Sequence, residues 1–302
     1  MDPSLLPSPA DLSPIELARI VDAALAEDLA SGDVTTRTVV PPDAVARGAF
    51  VSREPLVVAG VGVAAYVFYR LDPRVRFEVL IPDGAFVATR STVARVEGPA
   101  QGVLTAERVA LNLLQRMCGV ATRTHAFVER VPAGARTRIT DTRKTTPGLR
   151  ALERYAVRLG GGHNHRNDLG SAVLIKDNHI VVCGGVRAAI ERARRAAPHT
   201  MRIECEVGSL PELDEALSAG ADVIMLDNFD DAAVAEALAR VARVSPRPVI
   251  EVSGGVTLDR IPHLAALGID VISVGSLTHG ARAIDIGLDL ELRGAWTTSP
   301  AS

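Results

Sequence analysis

Lysine is almost missing from this chain. Lys144 and Lys176 are the only two, so nearly all of the 33 Lys+Arg positions are arginine. A sequence that takes arginine wherever a generic surface cation will serve keeps lysine where a compact ammonium matters, since guanidinium is larger, planar and never deprotonates. A basic excess is lacking too: the formal net charge is -3 and the pI is near 6.2, which speaks against nucleic-acid binding. The three cysteines, Cys118, Cys183 and Cys205, form no CxxC pair. That argues against a disulfide framework or a thiolate zinc site and predicts small buried thiols in a reduced cytoplasm. The longest uncharged apolar run, 56–69, contains Gly60 and Gly62 and falls short of the roughly 18 residues of a membrane span. Residues 1–14 offer neither the positive start nor the apolar core of a signal peptide, so a soluble cytoplasmic protein is expected. What is present is an ordinary globular balance, 47% hydrophobic and 23% charged, in a chain long enough for two unequal domains.

Residues 1–12 read as a disordered leader. Ser13-Pro14-Ile15-Glu16 then predicts a helix start, with serine as N-cap, proline at the first position and glutamate closing a capping box. Leu17, Ile20, Val21, Ala24 and Leu25 follow with helical period. Between 44 and 102, short strands and turns surround one helix near 63–71, which describes a small α+β unit. A long helix spans about 106 to 131. Beyond it, apolar strands at 138–141, 172–175, 202–207, 223–226, 249–252 and 271–274 alternate with amphipathic helices such as 211–219, 231–241 and 258–267. That alternation predicts parallel strands buried on both faces. Arg150, Arg154 and Arg158, on the helix after the first of these strands, read as a solvated face.

The strand ends carry the chemistry. In chain order they are Asp141-Thr142-Arg143-Lys144, Lys176-Asp177-Asn178-His179, Glu204 with Glu206, Asp227-Asn228, Ser253-Gly254-Gly255 and Gly275-Ser276. A β/α barrel gathers such ends at one catalytic mouth, while an open doubly wound sheet, the alternative fold, would line a crevice with them. No GxGxxG fingerprint follows the first strand, which counts against a nicotinamide or flavin cofactor. Glycines at the last two strand ends let backbone N–H groups approach a phosphate. Arg143, Lys144, Arg166 and Lys176 add cations that suit a polyanionic substrate. Glu206 and Asp227 can accept from sugar hydroxyls or hold Mg²⁺ against phosphates, with Glu204 on the same strand face as Glu206. Other readings stay open at this point. His163-Asn164-His165 could bind zinc, with His179 and His279 as further ligands, in a metal-dependent hydrolase. Lys144 or Lys176 could form a Schiff base, and a non-catalytic phosphate binder is the third possibility.

Assembled in order, these runs resemble the quinolinate phosphoribosyltransferase family. The resemblance covers about Leu17 to Leu290 and is most specific at Gly32-Asp33-Val34-Thr35-Thr36, at DTRKTTPGLR from Asp141, at GGGHNHR from Gly160 and at LIKDNH from Leu174. It implies an N-terminal α/β sandwich domain over 13–125, rejoined by a C-terminal segment at 284–302, and an incomplete parallel β/α barrel of fewer than eight strands over 126–283. It implies transfer from 5-phosphoribosyl 1-pyrophosphate to quinolinate with decarboxylation, in NAD biosynthesis, with Mg²⁺ and a homodimer. Arg143, His165, Arg166 and Lys176 would hold the quinolinate carboxylates, joined by Arg108 from the neighbouring subunit. Lys144 would grip the pyrophosphate, and Glu206 and Asp227 the ribose hydroxyls and Mg²⁺. Ser253, Gly254, Gly255, Gly275 and His279 would bind the 5-phosphate. Thr142 and Ser276, at the same strand ends, complete the candidate substrate-binding residues; Lys144, Glu206 and Asp227 are the candidate catalytic ones. A paralogous group linked to molybdenum transport shares the scaffold, but the intact Asp141-to-Thr145 and Asn164-His165-Arg166 runs favour the quinolinate enzyme.

Overall fold

A computed structural model describes residues 6–8 and 11–291. The rest of the leader expected over 1–12, and the tail from 292, lie outside the described residues. The chain divides into two compact units: 1–123 with 146–161 and 281–302, and 124–145 with 162–280.

In chain order, the first stretch comprises α1 (Pro14–Asp28), α2 (Val34–Val39), β1 (Val45–Ser52), β2 (Leu56–Val57), α3 (Val61–Leu71), β3 (Arg76–Val79), β4 (Phe86–Val87), β5 (Thr92–Pro99) and α4 (Ala100–Val128). Then come β6 (Arg138–Thr140), α5 (Arg150–Leu159), β7 (Val173–Ile175), α6 (Asp177–Cys183), α7 (Val186–Ala196), β8 (Ile203–Val207), α8 (Leu210–Ser218) and β9 (Val223–Asp227). The chain continues through α9 (Asp231–Val241), β10 (Val249–Ser253), α10 (Ile261–Ala266), β11 (Val271–Ser273) and β12 (Ile286–Glu291).

The first unit carries an antiparallel sheet of order β12-β1-β5-β3 and a small β2-β4 pair. The alternating burial of β1 points Phe50 inward, where its ring meets Phe68 edge-on at 5.9 Å and Phe77 at 5.5 Å. Aromatic packing of this kind adds roughly 0.5–1.5 kcal/mol per pair beyond burial. The helix α1 buries Leu17, Ile20, Val21 and Leu25, the stripe its periodicity predicts. The capping box does not form: Ser13 makes no side-chain cap, and Glu16 pairs with Arg19 at 3.3 Å. Nor is all of the leader loose. Leu12 is buried, the Asp11 and Leu12 N–H groups reach the Ser8 carbonyl at 2.8 and 2.9 Å, and Arg158 donates to the Asp11 carbonyl.

The helix α5 departs furthest from expectation. It follows β6 in sequence yet belongs to the first unit, because nearly all its faces find partners there. Leu152, Tyr155, Ala156 and Val157 are buried. Fully buried Glu153 takes a 2.6 Å ion pair from Arg116 and hydrogen bonds from the Thr146 hydroxyl and N–H, and the Tyr155 hydroxyl donates to Asp83 at 2.9 Å. Arg150, Arg154 and Arg158 are consequently half-buried rather than a solvated face.

The second unit holds a six-stranded parallel sheet of order β6-β11-β10-β9-β8-β7. In chain order that is a barrel with an opening between β6 and β7, and six strands cannot close as the usual eight do. Apolar β9 and β10 pair in register from Val223–Val249 to Asp227–Ser253, so their polar last residues sit side by side. The helices behind them start from capped ends: Ser209 accepts from the Glu212 N–H and Asp230 from the Ala233 N–H. Among the described residues no helix is long and apolar enough to cross a membrane.

Within the first unit, Gly119 lets α4 approach the chain before β12: a Cβ there would overlap the Arg282 carbonyl. Alanine is ordinarily the better helix former by about 1 kcal/mol, yet Gly119→Ala should destabilise by about 1–3 kcal/mol through this overlap. Urea unfolding reads the sign directly.

Candidate functional site

The parallel strands end on a cavity of about 560 Å³ lined by Thr142, Arg143, Lys144, His165, Arg166, Lys176, Glu206, Asp227, Ser253, Gly254 and Gly255. Most of the residues singled out in the sequence therefore meet in one place. Asn228, named with its strand end but given no role, also lines it, as do Glu251 and Ser273, which were not foreseen. Gly275, Ser276, His279 and Arg108 are not among its lining residues. Gly275 nevertheless adjoins it: a Cβ on this glycine would come 3.0 Å from Lys144 Cδ and 3.4 Å from the His279 ring. Arg108 is an exposed residue of α4 in the first unit.

Covalent continuity alone would not place these groups. The loop after β6 is drawn to the loop after β11, where the Thr278 hydroxyl donates to the Lys144 carbonyl at 2.7 Å. Lys144 itself is exposed, with its stem over Gly275. The segment 163–165 enters the opening of the barrel beside β6, its His163 bridging Thr140 as a parallel neighbour. Buried Asp141 fixes it there, accepting from Asn164 Nδ2 and from the His165 N–H, both at 2.7 Å. His165 and Arg166 are thereby aimed inward. The Arg166 pKa is lowered, by burial and by neighbouring Arg143. Lys176 leaves the end of β7 and its ammonium pairs with Glu206 at the end of β8.

At the ends of β9 and β10 the backbone is shaped by two unusual residues. Asn228 has φ 57°, Gly254 has φ +87°, and the Asn228 side chain occupies the space where a Gly254 Cβ would stand. The Asn228 N–H donates to the Ser253 carbonyl at 3.0 Å. Only glycine satisfies both the left-handed backbone and this close approach.

Beneath the cations lies a buried acidic group. His165 Nε2 stands 3.3 Å from Glu204 Oε2 and 3.6 Å from Glu251 Oε1, with both carboxylates almost inaccessible. Burial works against a charged imidazole here, but the Glu204 hydrogen bond and the charges of Glu251, Glu204 and Asp141 outweigh it and raise the His165 pKa. The Arg166 N–H donates to Nδ1 at 2.7 Å. In the neutral ring Nδ1 is thus the acceptor and the proton sits on Nε2, facing the carboxylates. Burial, then the Glu204 charge, pushes Glu251 up to about 7. A glutamate inside the apolar run Val249-Ile250-Glu251-Val252 was the available signal for this residue. Period-2 spacing puts it on the same face as Ser253. The zinc reading fails on geometry: among the described residues, the one cluster of three potential ligands is His165, Glu204 and Glu251, and His163, His179 and His279 are not in it.

A parallel barrel whose mouth gathers glycine turns, arginines, lysines and carboxylates at its strand ends has the build of an enzyme for polyanionic substrates. The chain belongs to the quinolinate phosphoribosyl transferase family. Its residues 33–118 match the family's N-terminal domain and residues 120–289 the C-terminal domain. It is 45% identical over 270 residues to the nicotinate-nucleotide pyrophosphorylase [carboxylating] of Mycobacterium leprae, covering 88% of this chain and 94% of that one. With the human protein of the same name it shares 39% over 280 residues, 92% of this chain and 93% of the other. The solved structure of NadC from Streptococcus pyogenes superposes with a TM-score of 0.87 at 40% identity, covering 93% of this chain and 98% of that one.

Glu251 has a folded pKa raised above the 4.5 of a free side chain. The stability tied to its protonated form is therefore complete below about pH 4.5 and lost as pH rises through about 7. Glu251→Gln removes that loss. Urea midpoints at pH 5.5 and 8.5 should show the variant gaining on the wild type at the higher pH.

Proposed function

We propose that this mouth joins quinolinate to 5-phosphoribosyl 1-pyrophosphate, giving nicotinate mononucleotide, pyrophosphate and carbon dioxide for NAD biosynthesis, with the residues divided as follows. The observation that carries the division is the separation of charge types around one cavity. Arg143 and Lys176 follow the two edge strands, β6 and β7, that flank the opening, where His165 and Arg166 also enter. Glu206 and Asp227 stand on β8 and β9, and the glycine backbone of 253–255 follows β10.

The arginine forks and Lys176 bind the two ring carboxylates, which arginine matches in shape as well as charge. Ser253, Gly254 and Gly255, with Gly275, Ser276 and His279 next to them, receive the 5-phosphate on backbone N–H groups. Thr142 accepts from the Lys144 N–H at 3.1 Å and so shapes the turn that presents Lys144 to the pyrophosphate. Glu206 and Asp227 accept from the ribose hydroxyls. Two carboxylates at adjacent strand ends are also an oxygen donor set that fits Mg²⁺; the ion, when bound, neutralises charge on the departing pyrophosphate. Bond breaking at the ribose anomeric carbon develops positive charge there, and the same two carboxylates stabilise it. The pyridine nitrogen then bonds to that carbon, and its acquired charge draws the electrons of the 2-carboxylate bond. The catalytic residues of this reading are Lys144, Glu206 and Asp227.

Arg108 acts from a second copy of the chain in this reading, as one of the carboxylate-binding cations of a homodimer. Its exposure on α4 and its place outside the cavity lining support that. A reduced, cytoplasmic setting suits the free cysteines, of which Cys118 is fully buried and pushed up to about 12 by burial.

Two variants test the division. Arg166→Ala should weaken quinolinate binding at least tenfold, about 1.4 kcal/mol, and leave phosphoribosyl pyrophosphate binding nearly unchanged; equal losses in separate titrations would refute the assignment. Lys144→Arg keeps its charge but brings a planar fork over Gly275. Turnover should fall by roughly 100-fold, and wild-type turnover would make this lysine interchangeable.

A further inference from the structure

The reaction assigned above removes a carboxylate from C2 of the pyridine and leaves hydrogen in its place. The bonding electron pair stays on C2 as carbon dioxide departs, so one proton must reach that carbon inside the mouth. Few groups lining the cavity can give one. Arg143 and Arg166 do not release protons under any ordinary condition. Lys176 is held by Glu206, Lys144 serves the pyrophosphate end, and Glu206 and Asp227 serve the ribose hydroxyls. The His165 ring directs its Nε2–H at Glu204.

Glu251 remains. It projects from the middle of β10 with 3% exposure, and its Oε1 is a buried oxygen without a hydrogen-bond partner. It also borders two spaces. A second cavity of about 340 Å³ shares His165, Arg166 and Glu251 with the mouth but extends to Arg138, Arg202 and Val249. Those residues lie at the amino-terminal ends of the strands, and Arg138 and Arg202 are exposed. One carboxyl group thus borders the substrate cavity on one side and, on the other, a cavity that reaches the amino-terminal ends of the strands.

We propose that Glu251 is the catalytic acid that protonates C2 after carbon dioxide leaves, and that it is recharged from solvent through this second cavity. The step balances without a further reactant. The C2–carboxylate pair becomes the lone pair on C2, takes the proton from Glu251 and forms the C2–H bond. The resulting Glu251 carboxylate recovers a proton from water. The groups facing Glu251 suit this cycle: Glu204 on β8 disfavours its ionised form, Ser273 on β11 and the His165 Nε2–H can hold the ionised form once made, and Lys176 stands farther off. Its elevated pKa keeps a proton available near neutrality.

The inference rests on the proposed reaction and fails separately from it. Wild-type protein should release pyrophosphate and form nicotinate mononucleotide from quinolinate; no product at all would remove the reaction itself. In Glu251→Gln, rapid-quench measurement should show pyrophosphate released in a first-turnover burst within about threefold of the wild-type rate. Nicotinate mononucleotide should form at least 100-fold more slowly, the scale of lost general-acid catalysis. The mononucleotide that still carries its 2-carboxylate should accumulate, because the C2 carbanion returns to it by recapturing carbon dioxide. Equal slowing of both products, or of neither, would overturn the proposal. Glu251→Asp, which keeps an acid at the site, serves if the glutamine variant does not fold. It should again slow nicotinate mononucleotide selectively, by less than tenfold, and a parallel loss of pyrophosphate release would count against the assignment.

Discussion

A single buried carboxylate, Asp141, stands where a complete barrel would have more strands. The six-stranded sheet leaves β6 and β7 unpaired with each other, and an open edge of backbone donors and acceptors inside a domain is costly unless something satisfies it. The segment 163–165 does so, pairing with β6 through His163 and held by the two Asp141 acceptor bonds. The same bonds set the direction of His165 and Arg166, while the residues directly after Asp141 are Thr142, Arg143 and Lys144. Repairing the gap and assembling the anion site are one structural event.

Charge in the mouth is arranged by depth. The cations stand around the opening, where an anionic substrate can replace lost water contacts. Carboxylates of two kinds lie deeper. Glu206 and Asp227 are partly accessible, whereas Glu204 and Glu251 are buried with one imidazole between them. Two buried like charges at such range oppose each other strongly, so the pair favours retaining a proton. The barrel therefore keeps an acid close to a set of cations, an arrangement difficult to maintain in water and natural in a packed interior.

Backbone geometry contributes as much as side chains. The left-handed Asn228 and Gly254 interlock the ends of two neighbouring strands, and Gly275 gives room to the Lys144 stem. In the first unit, Glu153 and Arg116 hold Thr146, only two residues beyond Lys144. Small residues and buried ion pairs here set where a loop can go. Their effect is chiefly geometric, since desolvation offsets much of a buried pair's attraction.

The sequence by itself determined the alternation of strands and helices, the strand ends that carry chemistry, and the family, because local periodicity and contiguous motifs are one-dimensional properties. It showed most of the residue types at the mouth for the same reason, since they stand in or just beyond the last residues of apolar strands; His165 and Arg166, which follow α5, are the exception. Tertiary structure decided what depends on residues distant in the chain. It made α5 part of the first unit through Arg116 and Asp83, left the Ser13 capping box unformed, and packed Leu12 where a loose leader was expected. It also brought Glu251 to within 3.6 Å of His165, a meeting of residues from a loop and a strand far apart in sequence. A lone glutamate in an apolar strand shows that something must compensate its burial, but only the curvature of the sheet determines which groups do.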